Sequence, residues 1–197
     1  MIAEIDPDNW KPWTPLELVH RLGHIQEPWS VVGGWALDLW AGELTRPHND
    51  IEIAILRPDF DVFRDALPDM DIYCASSGEI WPLEGPPPAG VSQFWCWDRT
   101  IRAFVLDIMI ERGTPRTWVY KRDKWINRPR TKANGTGYKG LKYLSPACVL
   151  LFKAKALREK DQLDFDRFAP QLPQPERDWL KDALGHAHSN HPWIDAL

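Results

Sequence analysis

The chain has few cysteines, little charge imbalance and no long apolar run, and each shortage closes off a class of protein. Its three cysteines, Cys74, Cys96 and Cys148, lack the paired spacing of a zinc site. Each sits among apolar residues, where a thiol behaves as a small hydrophobe. No apolar run approaches the ~18 residues of a membrane-spanning helix, and no secretory leader pattern is present. We therefore expect a cytoplasmic protein with no membrane partner. The formal net charge of −4 argues against a broad nucleic-acid surface, so no nucleic-acid partner is expected. There is no internal repeat and no low-complexity tract, which excludes solenoids and linker-rich arrays.

Tryptophan and proline, by contrast, are plentiful, at 12 and 18 of 197 residues. The prolines imply many loops, and the tryptophans supply core mass or cleft walls. The length suits one domain, or a compact domain with a helical appendage.

The chain is organised around Trp29–Leu56. A short apolar run, Trp29 to Val32, meets Gly33 and Gly34, then a helical pattern, WALDLWAG, with Gly42 placed as its C′ stop. The loop Glu43–Asn49 leads into DIEIAI, which alternates strictly. Alternation puts Ile51, Ile53 and Ile55 on one strand face and Asp50, Glu52 and Ala54 on the other. Carboxylates at i and i+2 start roughly 7 Å apart and can converge on a divalent ion. Magnesium prefers oxygen ligands, commonly one or two carboxylates plus substrate phosphates. A glycine turn before a helix offers bare backbone N–H groups to phosphate. The stretch thus reads as a phosphate and metal site, although a turn followed by a half-wet edge strand fits the same alternation.

Before this stretch, residues 1–13 read as an irregular arm with Trp10 and Trp13 packing back. Thr14-Pro15-Leu16-Glu17 is a capping box opening a helix that ends near Gly23. After it, Pro58 and Asp59 open a helix with Phe60, Phe63 and Leu67 inward. Asp71–Ala75 and Gln93–Trp97 are strand candidates, and Glu84–Gly90 is a turn or flap. In Ile101–Arg112, Phe104, Leu106, Ile108 and Ile110 alternate with Val105, Asp107 and Met109. Asp107 is a charge in an apolar strand, where a carboxylate needs a partner or a metal. An ion pair with Arg102 or Arg112 is the plainer alternative.

Trp118–Tyr120 is a short strand. The basic stretch Lys121–Arg130 is either a phosphate contact or a solvated loop, and Thr131–Gly140 a hairpin or flexible loop. A helix is expected from Ser145 to about Lys160, followed by a second segment, Asp161–Phe168. Lys153 and Lys155, inside its apolar run, are either snorkelling lysines or phosphate contacts. A last helix runs from Pro175 to Leu184, with Gly185 as its stop. His186, His188 and His191 read as a plain surface tail.

The string GGWALDLWAG…TRPHNDIEIAI resembles the signature of the DNA polymerase beta-like nucleotidyltransferases. It looks most like the branch of aminoglycoside and lincosamide nucleotidyltransferases. The later string LSPACVLLFKAKALREKDQLDF resembles the same branch, and the likeness spans about Leu18 to Leu184. Glu52 stands where many relatives carry Asp. The resemblance implies an α+β fold: a nucleotidyltransferase-like mixed sheet with flanking helices, then a helical C-terminal part. We expect an α/β core over 1–120 and a basic loop with helices over 121–197.

It further implies an enzyme that moves AMP from ATP onto a hydroxyl of a small-molecule acceptor. Asp50, Glu52 and Asp107 would hold Mg²⁺, and Asp107 would complete the metal site or take the hydroxyl proton. Ser30, Gly33, Gly34, Arg46, His48, Lys153 and Lys155 are the candidate nucleotide contacts. A nucleotide-binding module without transfer, and transfer to a protein acceptor, are the alternative readings.

Overall fold

The structure is a computed structural model that describes residues 5–197. In chain order the first half holds α1 (Pro15–Leu22), β1 (Trp29–Val32), α2 (Gly33–Ala41), β2 (Glu52–Leu56), α3 (Phe60–Asp65), β3 (Met70–Ser76), β4 (Glu79–Pro82), β5 (Gln93–Asp98) and β6 (Ala103–Gly113). The second half holds β7 (Thr117–Val119), β8 (Asn127–Pro129), α4 (Arg130–Ala133), β9 (Asn134–Thr136), β10 (Lys142–Leu144), α5 (Pro146–Lys153), α6 (Glu159–Phe168), α7 (Gln174–Ala187) and α8 (Trp193–Ala196). The chain forms two compact units. The first joins the residues up to Val31 with Arg46–Glu111, and the second joins Val32–Thr45 with Arg112–Leu197.

The first unit is a mixed sheet in the order β4-β3-β5-β6-β2-β1. β2 runs parallel to β6; β5 is antiparallel to β6 and to β3. β6 is therefore a central strand, and its residues Ala103 to Ile108 are all buried. The expected capping box is present: Glu17 N–H donates to Thr14 Oγ1 at 3.3 Å, and Thr14 N–H donates to Glu17 Oε2 at 2.6 Å. From α3, Phe60 packs on Phe94 of β5 with ring centroids 4.6 Å apart, and Phe63 and Leu67 are fully covered.

The expected N-terminal arm includes residues 1–4, which lie outside the described residues. The rest of it runs beside the start of β6, where Lys11 N–H donates to Phe104 O and Trp13 N–H to Val105 O. The Glu84–Gly90 loop is pinned by side chains. Arg57 donates to the carbonyls of Pro88 and Val91, and Arg64 to that of Gly85. β4 was not legible in the sequence; Ser77 and Gly78, both at positive φ, turn β3 back into it.

The strict alternation expected along β6 breaks at one point. Cys96 of β5 pairs with Leu106, but Trp97 pairs with Phe104, so Val105 is the extra residue of a β-bulge. The bulge shifts Phe104 out of phase with Leu106 and Ile108. Phe104 instead meets Trp95, Trp97 and Tyr73 at centroid distances of 5.2, 5.0 and 5.8 Å.

In the second unit α5 is the central helix. Seven of its eight residues are buried, and it packs against α2, α6 and α7. β9 and β10 form the hairpin expected within Thr131–Gly140 and just beyond it, and β7 pairs with β8. Two helix boundaries differ from expectation. Gly185 does not stop the last helix, which continues to Ala187. The helix expected to reach Lys160 ends at Lys153, and Leu157 takes φ 45° before α6 begins.

The cause of that break is a buried ion cluster. Lys153 Nζ lies 3.1 Å from Asp161 Oδ1 and 2.8 Å from Asp164 Oδ2, with all three side chains at most 9% exposed. Arg158 Nε adds a bond to Asp161 Oδ2 at 2.7 Å. A straight helix would carry Asp161 and Asp164 two to three turns beyond Lys153; folding α6 back lets the acids meet the ammonium. Burial would push the Asp161 carboxyl up, but Arg158 and Lys153 together hold it below the usual range. Removing one partner of such a cluster strands charge in the interior. Lys153→Met should lower stability by about 3–5 kcal/mol, read by equilibrium urea denaturation; a loss below ~1 kcal/mol would refute the buried cluster.

Candidate active site

The site builds from the pairing of β2 with β6. Asp107 N–H donates to Ile51 O at 3.0 Å, and the register sets Glu52 directly beside Asp107. Neighbours in register point to the same side of a sheet, so two carboxylates lie together on adjacent strands. Asp50 precedes β2 by two residues, outside the strand rather than at its start as the alternation implied. Asp50 is exposed, Glu52 half-buried and Asp107 only 3% exposed. The other expected face also holds, with Ile51, Ile53 and Ile55 fully covered. Ala54 is buried too, because only the first part of the carboxylate face is wet.

Asp107 is not paired with an arginine. Gln93 Nε2 donates to its Oδ2 at 2.6 Å, and its Oδ1 is buried with no hydrogen-bond partner. Burial raises its carboxyl well above the usual carboxylate range; the negative charges of Glu52 and Asp50 push the same way, against the Gln93 amide and the Trp95 indole N–H. A buried carboxyl facing two more acids needs a proton or a cation. Among the described residues no three His, Cys, Asp or Glu side chains converge closely enough to enclose a metal unaided. Magnesium does not require this, since one or two carboxylates plus phosphate oxygens and water complete its shell. An unsatisfied buried carboxylate oxygen and an adjacent acid in register fit that ion.

The remaining candidates divide between the units. In the first, Ser30 is fully buried on β1, its Oγ without a hydrogen-bond partner. Arg46 Nη1 donates to Pro47 O at 3.2 Å and lies 3.1 Å from His48 Nδ1, so these two side chains meet on the loop before the carboxylates. In the second unit, Gly33 and Gly34 are not a turn before the helix but its first residues. Gly33 adopts φ 66°, a conformation that suits glycine, and no side chain caps this end. The ammonium of Lys153 is held by Asp161 and Asp164, whereas Lys155 is exposed.

Sequence reasoning missed Gln93 and Trp95. Both lie on β5 at period two, and Trp95 sits opposite Asp107. The string QFWCW shows that they share a face; only the register with β6 shows what that face meets.

The sequence profile of the aminoglycoside-2''-adenylyltransferase family matches residues 16–79, the segment that carries Asp50 and Glu52. No curated protein sequence matches the chain. The fold is that of a lincosamide antibiotic adenylyltransferase, LnuA, solved with lincomycin bound. It has 20% identity and a TM-score of 0.53, over 88% of this chain and 99% of that one. ANT(2'')-Ia, solved in complex with adenylyl-2''-tobramycin, aligns at 11% identity and a TM-score of 0.47, over 92% of each chain.

The electrostatics of Asp107 have a consequence for stability. A carboxyl whose folded pKa is raised favours folding at pH below its unfolded value, near 4, and that advantage is lost as pH rises towards the folded value. In metal-free buffer, Asp107→Asn should raise the melting temperature at pH 7 and have little effect at pH 4. Relief on the order of 1 kcal/mol would shift it by about 2–4 °C. A variant melting lower than wild type at pH 7 would show that Asp107 is not under like-charge strain.

Proposed function

We propose that the chain transfers AMP from ATP to a hydroxyl of a small-molecule acceptor of the lincosamide or aminoglycoside type. The observation that carries this is the register of Glu52 against Asp107, which brings an acid from a segment matching an adenylyltransferase family beside a buried acid on a later strand. The shared fold with a lincosamide adenylyltransferase supports the reading. A cytoplasmic location, where ATP is supplied, fits this reaction.

Asp50 and Glu52, with Asp107, would hold Mg²⁺ carrying the triphosphate. The ion would neutralise phosphate charge and polarise the phosphoryl group. The chain's own residues then do the following. Asp107 accepts the proton of the acceptor hydroxyl, its oxygen bonds to the α-phosphorus, and the bond from that phosphorus to the β-phosphate oxygen breaks. Pyrophosphate departs with the electron pair. Asp107 comes from a different strand than Asp50 and Glu52, and a carboxylate within reach of the hydroxyl can take its proton. Arg46 and His48, on the loop before Asp50, would add cationic and hydrogen-bonding capacity for phosphate, and Ser30 lies on the strand paired with β2. The uncapped start of α2 at Gly33 and Gly34 offers N–H groups of the type that receive phosphate oxygens.

Incubation with ATP, Mg²⁺ and a panel of lincosamides and aminoglycosides, read by mass spectrometry, should show gain of one adenylyl group on at least one acceptor. Asp50→Asn should abolish the product while the variant melts as a folded protein. Asp107→Asn should slow single-turnover transfer by about 10²–10⁴-fold, the usual share of a general base. Near-wild-type transfer by either folded variant would overturn the assignment.

A further inference from the structure

Of the three histidines read as a plain surface tail, only His186 is exposed; His188 and His191 are half-buried. Both ring nitrogens of His191 are engaged. Nε2 lies 3.0 Å from Ala154 O, and Nδ1 lies 3.2 Å from the backbone nitrogen of Trp193. A carbonyl can only accept and a backbone N–H can only donate, so Nε2 carries the hydrogen and Nδ1 is bare. The two partners fix the neutral ring in one tautomer.

That ring holds the start of α8. The Trp193 N–H is one of the first-turn donors that a helix cannot satisfy by itself. Trp193 is 2% exposed, and its ring stacks on Phe165 of α6 with centroids 4.2 Å apart. Its indole N–H donates to Gln162 Oε1 at 2.8 Å. α8 thus docks on α6 through Trp193, and His191 ties its first turn to the end of α5.

The charges around the latch residue are cationic. The His188 ring, at the end of α7, has its centroid 6.1 Å from that of His191, and its Nε2 is buried without a hydrogen-bond partner. Arg122, from the β7–β8 loop, and Lys155, just beyond α5, act on His188 in turn. α6 meets α8 through Gln162 and Phe165, which are uncharged, and Asp195 of α8 is exposed. Among the described residues no carboxylate acts on either ring. Burial holds the His191 ring below the ordinary histidine range; the Ala154 carbonyl opposes this and His188 adds to it.

We propose that His191 is a pH-sensitive latch for the C-terminal turn: a proton on Nδ1 turns the acceptor of the Trp193 N–H into a donor facing it, and α8 comes away from α6. The sign follows from the lowered value. Docking is at full strength above the undocked histidine value, near 6.5. It weakens as pH falls from there to the docked value, by up to about tenfold per pH unit. α6, which the opened latch uncovers, is also the helix whose Asp161 and Asp164 hold Lys153.

Hydrogen exchange of the full chain, read by mass spectrometry and corrected for intrinsic rates, tests this at about pH 7.5 and pH 5. Protection in the peptide 189–197 should fall by at least about fivefold at the lower pH. Peptides from α5 should keep theirs. In His191→Asn, Oδ1 can accept the Trp193 N–H as Nδ1 does but does not titrate, so the fall should stay under about twofold. No loss in the wild type, an equal loss in the variant, or a matching loss in α5 would each overturn the latch. If the variant is undocked already at pH 7.5, NMR of the wild type decides. The His191 ring titration and the Trp193 indole N–H shift should share one midpoint below about 6.5; separate midpoints would overturn the proposal.

Discussion

The parallel pairing of β2 with β6 is the constraint on which the first unit depends. It sets Glu52 beside Asp107, and so places like charges together where one of them has almost no water. Such an arrangement works against folding and persists only where the surrounding structure enforces it. The enforcement is visible. β6 is hydrogen-bonded on both sides, the N-terminal arm satisfies the backbone at the bulge, and Gln93 fixes one carboxylate oxygen. The hydrophobic layer of Tyr73, Trp97 and Phe104, with Trp10 and Trp95 against it, holds the strands in register.

The two units treat buried acid in opposite ways. In the second, Asp161 and Asp164 meet Lys153 and Arg158, and the charges are neutralised within the protein. In the first, Asp107 meets two further acids and is left with an oxygen to spare. A neutralised cluster serves the fold; an unneutralised one is a cost that binding can relieve. The contrast separates an acid neutralised within the fold from one that the fold leaves unneutralised, without reference to any relative.

Much of this was legible in the chain. The alternation of Asp50 to Ile55 and the single charge between Ala103 and Ile110 pointed to the acids, because period two fixes which side chains share a face. The capping box at Thr14 and the C′ Gly42 marked helix ends through local chemistry. What was not legible depends on contacts far apart in sequence. Local propensity reads Pro146 to Lys160 as one helix, but the ammonium of Lys153 draws α6 back and overrides it. The Val105 bulge has no glycine to announce it and follows from the partner strand. Gln93 and Trp95 carry no signal of their own until β5 is laid against Asp107.

The path of the chain through its two units has an evolutionary corollary. Residues 32–45 belong to the second unit although residues on both sides of them belong to the first. Neither unit is encoded by a continuous stretch of gene. A single crossover between homologous genes can therefore keep at most one unit whole, leaving a mismatched core in the other. Sequence change in such a protein is channelled into point substitution and loop-length variation, and new specificities would arise at individual side chains rather than by the trading of whole modules.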